Sequence, residues 1–394
     1  MMLSLAYIII FGMSGYIVFK KIKLPGAIGM LIAGVIIGPY GLNLLDDSIL
    51  LISLDLRKIA LIVILIRAGL GIDRKSLQAV GKQSVSLSII PVLIEGFTIV
   101  LLAVLLLDFR FIEAGLLGFI IAAVSPAIVV PSMLKLIKEK IGMQKNIPVL
   151  VLASVSIDDV IAITIFSTFL SMYLATQVNV FTQILWIPIS IGLGIIVGLI
   201  VGFGLIWLFN KFHIRDTKKV LLLISIGIMM MSFAELIEDY ILIASLLGVM
   251  TMGIVIVERK IVLAERLAVK FNKVWVFVEL TLFVLVGAAV NIQVAFNTGL
   301  IGIFIILAGL FMRSLGVLIA TLMSDFSLKE RLFLVVSFLP KATVQAAIGG
   351  IPLALGVANG EIILALAVLS IIISAPIGAI GIDTLSKPLL KETV

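Results

Sequence analysis

The chain of 394 residues is 62% hydrophobic and 13% charged, and its 29 lysines and arginines outweigh 22 acids for a net charge of +7. So much apolar surface excludes a soluble domain, whose exterior must be largely polar. The absence of cysteine excludes disulfide, zinc–thiolate and thiol chemistry, and a single histidine, His213, excludes a multi-histidine metal site.

Taken in chain order, thirteen predicted spanning helices cover 3–20, 24–42, 50–72, 85–107, 112–134, 148–172, 183–209, 218–237, 239–257, 274–291, 297–323, 328–355 and 360–381. Each is near the roughly 20 residues that a bilayer requires. The first has no basic segment before it and no small-residue cleavage site, so it reads as a retained span. The second is glycine-rich, "LPGAIGMLIAGVIIGP" (24–39). The third carries Arg57, Lys58 and Arg67, and the fourth has Glu95 near its middle. The fifth contains "SPAIVVP" (125–131), and the sixth contains "ASVSIDDVIAI" (153–163), with Asp158 beside Asp159. The eleventh holds Arg313 within "GLFMRSLGV", and the twelfth holds Lys341 within "LPKATVQAAIG" (339–349).

The connections orient these spans. The odd-numbered connections, the C-terminal tail and the span ends beside them carry 23 of the 29 basic residues, and the even-numbered connections carry only Arg110. Basic residues stay on the cytoplasmic side, so the N-terminus is outside and the C-terminus inside a plasma (inner) membrane. The positive charge is therefore topology. No basic groove with interleaved aromatics points to a nucleic-acid partner. The connection 258–273, with five Lys and Arg, suits anionic lipid, though topology explains it equally. His213, in "KFHIRDTKK" (211–219), suits either a pH sensor or a solvated loop histidine, the commoner case.

Thirteen spans divide as six, one and six. The two sets of six then run in opposite senses, with span seven as a linker helix, which is an inverted-repeat transporter plan. Weak self-similarity agrees: "DFRFIE" (108–113) precedes span five and "DFSLKE" (325–330) precedes span twelve. Both spans carry proline near mid-membrane. Proline removes a backbone hydrogen bond and crowds a carbonyl, so both helices are expected to break there. Broken helices at membrane depth line cavities, and their ends make ion sites.

Charge deep in a span costs roughly 2.5–3.5 kcal/mol on insertion scales, so Glu95, Asp158, Asp159, Arg313 and Lys341 need compensation or function. Intramembrane acids mostly mark ion paths or proton relays, and a structural ion pair is the plainer reading. A hard cation such as Na⁺ takes oxygen ligands: a carboxylate, hydroxyls, carbonyls from the breaks, and water. A proton competes for the same carboxylate, which is sufficient for exchange when only the loaded site reorients. No nucleotide motif, catalytic triad or metal cluster appears. The chain is therefore expected to be no enzyme, to use no cofactor, and to draw its energy from ion gradients.

These motifs together resemble the cation/proton antiporters, specifically the NHA branch that includes the sodium/hydrogen exchanger 9B group. The likeness rests on the segments at 24–39, 125–136, 153–163 and 339–349 and on "LRKIALIVILIRAGLGID" (56–73), and it covers nearly the whole chain. It implies an all-α polytopic membrane protein of about 13 helices with two inverted six-helix repeats and two broken crossing helices, an NhaA-like antiporter fold. It also implies a homodimer. Spans one to three (1–84) and eight to ten (218–291) would form a dimerisation domain, 183–209 a linker helix, and spans four to six (85–172) and eleven to thirteen (297–381) a mobile core. The core would exchange Na⁺ or Li⁺ for H⁺.

Carried over residue by residue, Asp159 matches the family's ion-binding aspartate and Asp158 its neighbour, which is asparagine in electroneutral branches. Ser125 matches a position that is aspartate in some branches. Arg313 matches a position often occupied by lysine in electrogenic relatives, and Glu95 resembles an acid that pairs with it. Lys341 lies at the break of span twelve, beside Thr343 and Gln345, where it balances helix ends and carboxylates or takes part in transport. If Glu95 is the partner of Arg313, Asp158 is released from structural pairing. The charge moved per cycle then depends on the two aspartates, with one Na⁺ for one H⁺ expected. A Na⁺-coupled organic-solute symporter, a K⁺/H⁺ antiporter, a cation channel and a gradient-sensing receptor remain alternative readings.

Overall fold

The computed structural model describes residues 1–71, 74–174, 180–237, 241 and 243–390. Parts of the third and ninth expected spans, at 72 and at 239, 240 and 242, lie outside the described residues. Within them the regular elements are helices. In chain order these are α1 (Met2–Lys21), α2 (Gly26–Ile37), α3 (Asp47–Leu51), α4 (Ser53–Gly71), α5 (Arg74–Leu107), α6 (Phe111–Ala122) and α7 (Pro126–Lys138). Next come α8 (Ile147–Leu174), α9 (Val180–Lys211), α10 (Asp216–Leu236), α11 (Ser245–Arg259), α12 (Ile261–Ala288) and α13 (Ile292–Asn297). The last are α14 (Gly299–Ala320), α15 (Leu328–Ser337), α16 (Thr343–Ile348), α17 (Ile351–Ala354) and α18 (Gly360–Leu390).

Nine helical stretches among the described residues are long and apolar enough to cross a membrane. That is fewer than the thirteen expected, and the four shortfalls have separate causes. α2 and α11 are short, with 12 and 15 residues. α4 is long enough, but Asp55, Arg57, Lys58 and Arg67 dilute its apolar character. The segment 328–355 is divided among α15, α16 and α17.

Two compact units are present, one of residues 1–56, 76–162 and 280–394, the other of residues 57–75 and 163–279. In the first, α1 and α2 meet backbone to backbone. A Cβ on Gly15 would lie 2.2 Å from the Gly29 carbonyl oxygen, so only glycine permits this crossing. α5 bends at Gly81, whose φ of 51° is readily adopted only by glycine, and its apolar part runs on from there.

Two further contacts in this unit join its halves. Lys145, between α7 and α8, donates to the Asp325 carbonyl at 2.5 Å and to Glu330 at 2.9 Å. Glu330 also closes a capping box with Ser327 at the start of α15. Asn359, between α17 and α18, donates to Glu113 in the first turn of α6 at 2.6 Å. Each connection that follows an interrupted helix thus holds the acid at the start of the other interrupted helix.

In the second unit, α9 packs closely on α11, where a Cβ on Gly198 would lie 2.4 Å from the Gly248 carbonyl oxygen. Lys58 of α4 pairs with Glu235 of α10 at 2.7 Å. The Arg67 guanidinium lies 5.6 Å from the centre of the Trp275 ring, which lets a charge in an apolar helix find a π-face. Asp216 accepts from Arg266 at 3.0 Å and from Lys219 at 3.5 Å, joining α10 to α12.

Candidate functional site

The fifth and twelfth expected spans are both interrupted, and the interruptions touch. α6 ends at Ala122, Ala123 and Ser125 are extended, and α7 starts with Pro126 in its first turn. Proline belongs at a helix start, since it lacks the N–H that would be orphaned there. It also drives the preceding residue, Ser125, out of helical conformation. Pro131, in contrast, stays within α7 and ends nothing. On the other side, α15 ends at Ser337 and α16 begins at Thr343, with Pro340 and Lys341 between. The Ser125 N–H donates to the Pro340 carbonyl at 2.8 Å, and the Ser125 and Thr343 hydroxyls lie 3.3 Å apart.

A helix that stops inside a protein leaves its last carbonyls without partners. Here the second half of the chain supplies them. Gln345 Nε2 donates to the carbonyls of Ile120 at 3.0 Å, Ile121 at 3.2 Å and Ala123 at 2.8 Å. The carbonyl of Ala122 accepts from Arg313 at 2.5 Å and from Lys341 at 2.9 Å. Cationic groups at a helix C-terminus also oppose its negative dipole end.

The charged side chains gather at the same place. Glu95, Asp158, Arg313 and Lys341 are all fully buried. α14 can carry Arg313 to Glu95 because Gly316 lies against Pro91 of α5, where a Cβ would come within 2.7 Å of the Pro91 Cα. Glu95 Oε2 accepts from Arg313 Nη1 and from Lys341 Nζ, each at 2.7 Å. Arg313 Nη2 donates to Asp158 Oδ1 at 2.5 Å, and Asp158 Oδ2 accepts the Val124 N–H at 3.0 Å. The guanidinium also lies 5.6 Å from the centre of the Phe338 ring. Two acids and two bases are thereby balanced in a fully buried cluster, an economical way to bury such charges.

Asp159 is the acid left over. It is 4% exposed, and its Oδ1 has no hydrogen-bond partner among the described residues. The neighbouring position on α8 is turned about 100° away, which explains how Asp158 can be locked in pairs while Asp159 is not.

The structure thus brings together Glu95, Ser125, Asp158, Asp159, Arg313, Lys341, Thr343 and Gln345. His213 is exposed in the connection between α9 and α10 and makes none of these contacts. Two expectations need correction. The pairing of Glu95 with Arg313 does not release Asp158, because a guanidinium has enough donors to serve both acids. The carbonyls at the end of α6, expected as free cation ligands, each accept a side-chain donor, so they do not stand unpartnered at the break. Sequence reasoning missed the backbone partners at Ala122 and Val124, which have no residue-type signal. It also missed Ser374 of α18, whose hydroxyl accepts the Lys341 N–H at 3.1 Å and so holds the second break. Among the described residues, no group of three or more His, Cys, Asp or Glu is placed to hold a metal ion.

Comparison with known proteins gives this arrangement a context. The family described as "Sodium/hydrogen exchanger, transmembrane" matches residues 6–387. The human protein named sodium/hydrogen exchanger 9B2 is 33% identical over 389 residues, covering 94% of this chain and 70% of that protein. Sodium/hydrogen exchanger 9B1 of Macaca fascicularis is 33% identical over 351 residues, covering 86% of this chain and 67% of that one. The solved structure of the sodium proton antiporter MjNhaP1 from Methanocaldococcus jannaschii superposes with a TM-score of 0.84 at 19% identity, over 98% of both chains, and so shares the fold. With a family match over residues 6–387 and relatives a third identical, this chain belongs to the sodium/hydrogen exchanger family of multi-pass membrane proteins.

Proposed function

We propose that this chain exchanges Na⁺ or Li⁺ for H⁺ across a membrane, with Asp159 as the shared cation and proton site. The observation that carries this reading is the charge balance of the buried cluster. Glu95 and Asp158 answer Arg313 and Lys341, and Asp159 stands outside the pairs with Oδ1 unpartnered. A single uncompensated carboxylate in a dry site is stable when it holds either a cation or a proton, and not both. Loaded with either ion, the site is electrically balanced and can reorient. Empty, it carries a net charge that disfavours crossing the apolar layer. Exchange follows from that difference alone.

Asp158 then acts chiefly as structure, holding α8 to Arg313 and to the Val124 N–H at the break. The transported charge falls on Asp159, which agrees with one Na⁺ for one H⁺ and no net charge moved. The hydroxyls of Ser125 and Thr343 are further oxygen ligands within the touching breaks. The reciprocal contacts Lys145–Glu330 and Asn359–Glu113 support two inverted six-helix repeats around a linker, thirteen spans in all. The same reading places the N-terminus outside and the C-terminus in the cytoplasm of a plasma membrane. It makes spans four to six and eleven to thirteen a moving core within a homodimer, with 258–273 against anionic lipid.

The test is proton movement in proteoliposomes on addition of Na⁺, Li⁺ or K⁺ in turn. Wild-type protein moves protons with Na⁺ or Li⁺, and Asp159→Asn folds normally but moves none. Near-normal exchange by a well-folded Asp159→Asn protein rejects the site. A response to K⁺ alone selects the K⁺/H⁺ reading.

A further inference from the structure

Gln345 is fully buried, and its Oε1 has no hydrogen-bond partner among the described residues. An unpaired buried acceptor is destabilising, so packing alone would favour an apolar side chain of the same length. What the amide brings is its donors. Nε2 has two hydrogens and shares them among the carbonyls of Ile120, Ile121 and Ala123. With Ala122 accepting from Arg313 and Lys341, every carbonyl from Ile120 to Ala123 has a side-chain donor.

We propose that Gln345 is a positioning residue for cation selectivity: by holding the carbonyl oxygens of Ile120, Ile121 and Ala123, it keeps them out of the transported cation's coordination shell. This rests on the exchange reading above. Ser125, one of the oxygens of the proposed site, lies two residues past Ala123 in this same break and meets Thr343 there, so the carbonyl end of α6 borders the proposed ion site. Carbonyl oxygens are hard ligands, and several together replace the hydration shell of a large cation such as K⁺. Withdrawing them leaves a small set of side-chain oxygens from Asp159, Ser125 and Thr343. Few ligands suit a small cation, Na⁺ or Li⁺. The charged groups around this point are Asp158 of α8, Glu95 of α5, Arg313 of α14 and Lys341 of the second break, and they are unchanged when Gln345 is replaced.

The experiment compares full-length wild type, Gln345→Met and Gln345→Asn, purified in detergent. Thermal unfolding is measured at one pH with Na⁺, Li⁺ or K⁺ chloride against choline chloride at equal ionic strength. Binding to the folded state raises the melting temperature, the more so the tighter the binding, with the logarithm of cation concentration over Kd. Apparent KM and Vmax for each cation are then measured in proteoliposomes. Methionine fills the same space without donors, so the ratio of K⁺ to Na⁺ affinity rises by at least about threefold. Asparagine has a shorter arm, and its ratio lies between. A lower melting temperature or Vmax with an unchanged ratio overturns the inference, since a purely structural cap does exactly that much and no more. If Gln345→Met does not fold, the ratio in Gln345→Asn decides by the same criterion. A wild type that responds to no cation overturns the exchange reading, and this inference with it. A responsive wild type with unchanged variant ratios overturns this inference alone.

Discussion

Glu95→Gln tests the charge balance most directly. One oxygen of Glu95, Oε2, accepts from both Arg313 and Lys341 at 2.7 Å, and all three side chains are fully buried. Glutamine has nearly the same volume, so no cavity opens and the change is electrostatic. Two cations then face one paired acid, Asp158. Breaking a buried pair by removing one partner costs about 3–5 kcal/mol, whereas an exposed pair is worth about 1 kcal/mol or less. Lys341→Met, added to Glu95→Gln, removes the stranded cation and leaves Arg313 balanced by Asp158. The double variant is therefore expected to be more stable than Glu95→Gln alone, with a large coupling between the two sites. The assay is thermal unfolding of the wild type, both single variants and the double variant in detergent. Raising the salt concentration leaves the pattern in place, because a fully buried cluster is poorly screened. Additive losses in the double variant would refute the reasoning, as they mean that Glu95 does not neutralise Lys341.

Other expected outcomes follow from the same geometry. If Na⁺ and H⁺ share Asp159, apparent Na⁺ affinity in proteoliposomes weakens as pH falls, tending toward about tenfold per pH unit where one proton competes; an affinity flat across acidic pH points to separate sites. Asn359→Ala takes the donor from Glu113, a carboxylate 3% exposed, and lowers stability by about 1–3 kcal/mol. Lys145→Ala breaks a pair whose side chains are 39% and 17% exposed, and in the same unfolding assay it costs about 1 kcal/mol or less. Because the chain has no cysteine, His213→Cys is a single-site probe: an impermeant maleimide labels it in inverted membrane vesicles and not in right-side-out ones if that connection is cytoplasmic.

The apolar runs, their connections and the intramembrane acids were legible in the sequence because membrane insertion acts on short local segments. Roughly 20 apolar residues are enough to span, with no tertiary contact needed. Adjacent Asp158 and Asp159, and the prolines at the two breaks, stood out because each is costly in hydrocarbon unless it has a use. Family membership was legible in the same motifs.

Which charges pair was not legible, because pairing depends on how helices far apart in sequence come together. Arg313 meets Glu95 across 218 residues and Asp158 across 155, and Lys341 meets Glu95 across 246. Sequence reasoning treated a pair as exclusive, but one guanidinium and one carboxylate oxygen each serve two partners in this cluster. The break in the fifth span was foreseen, yet proline content alone did not separate Pro126, which starts α7, from Pro131, which α7 absorbs. The closing of the α6 carbonyls by Gln345, Arg313 and Lys341 is likewise a tertiary event. Backbone carbonyls are the same at every position, so only the packed structure decides which of them accept side-chain donors and which acid, Asp159, stands outside the buried ion pairs.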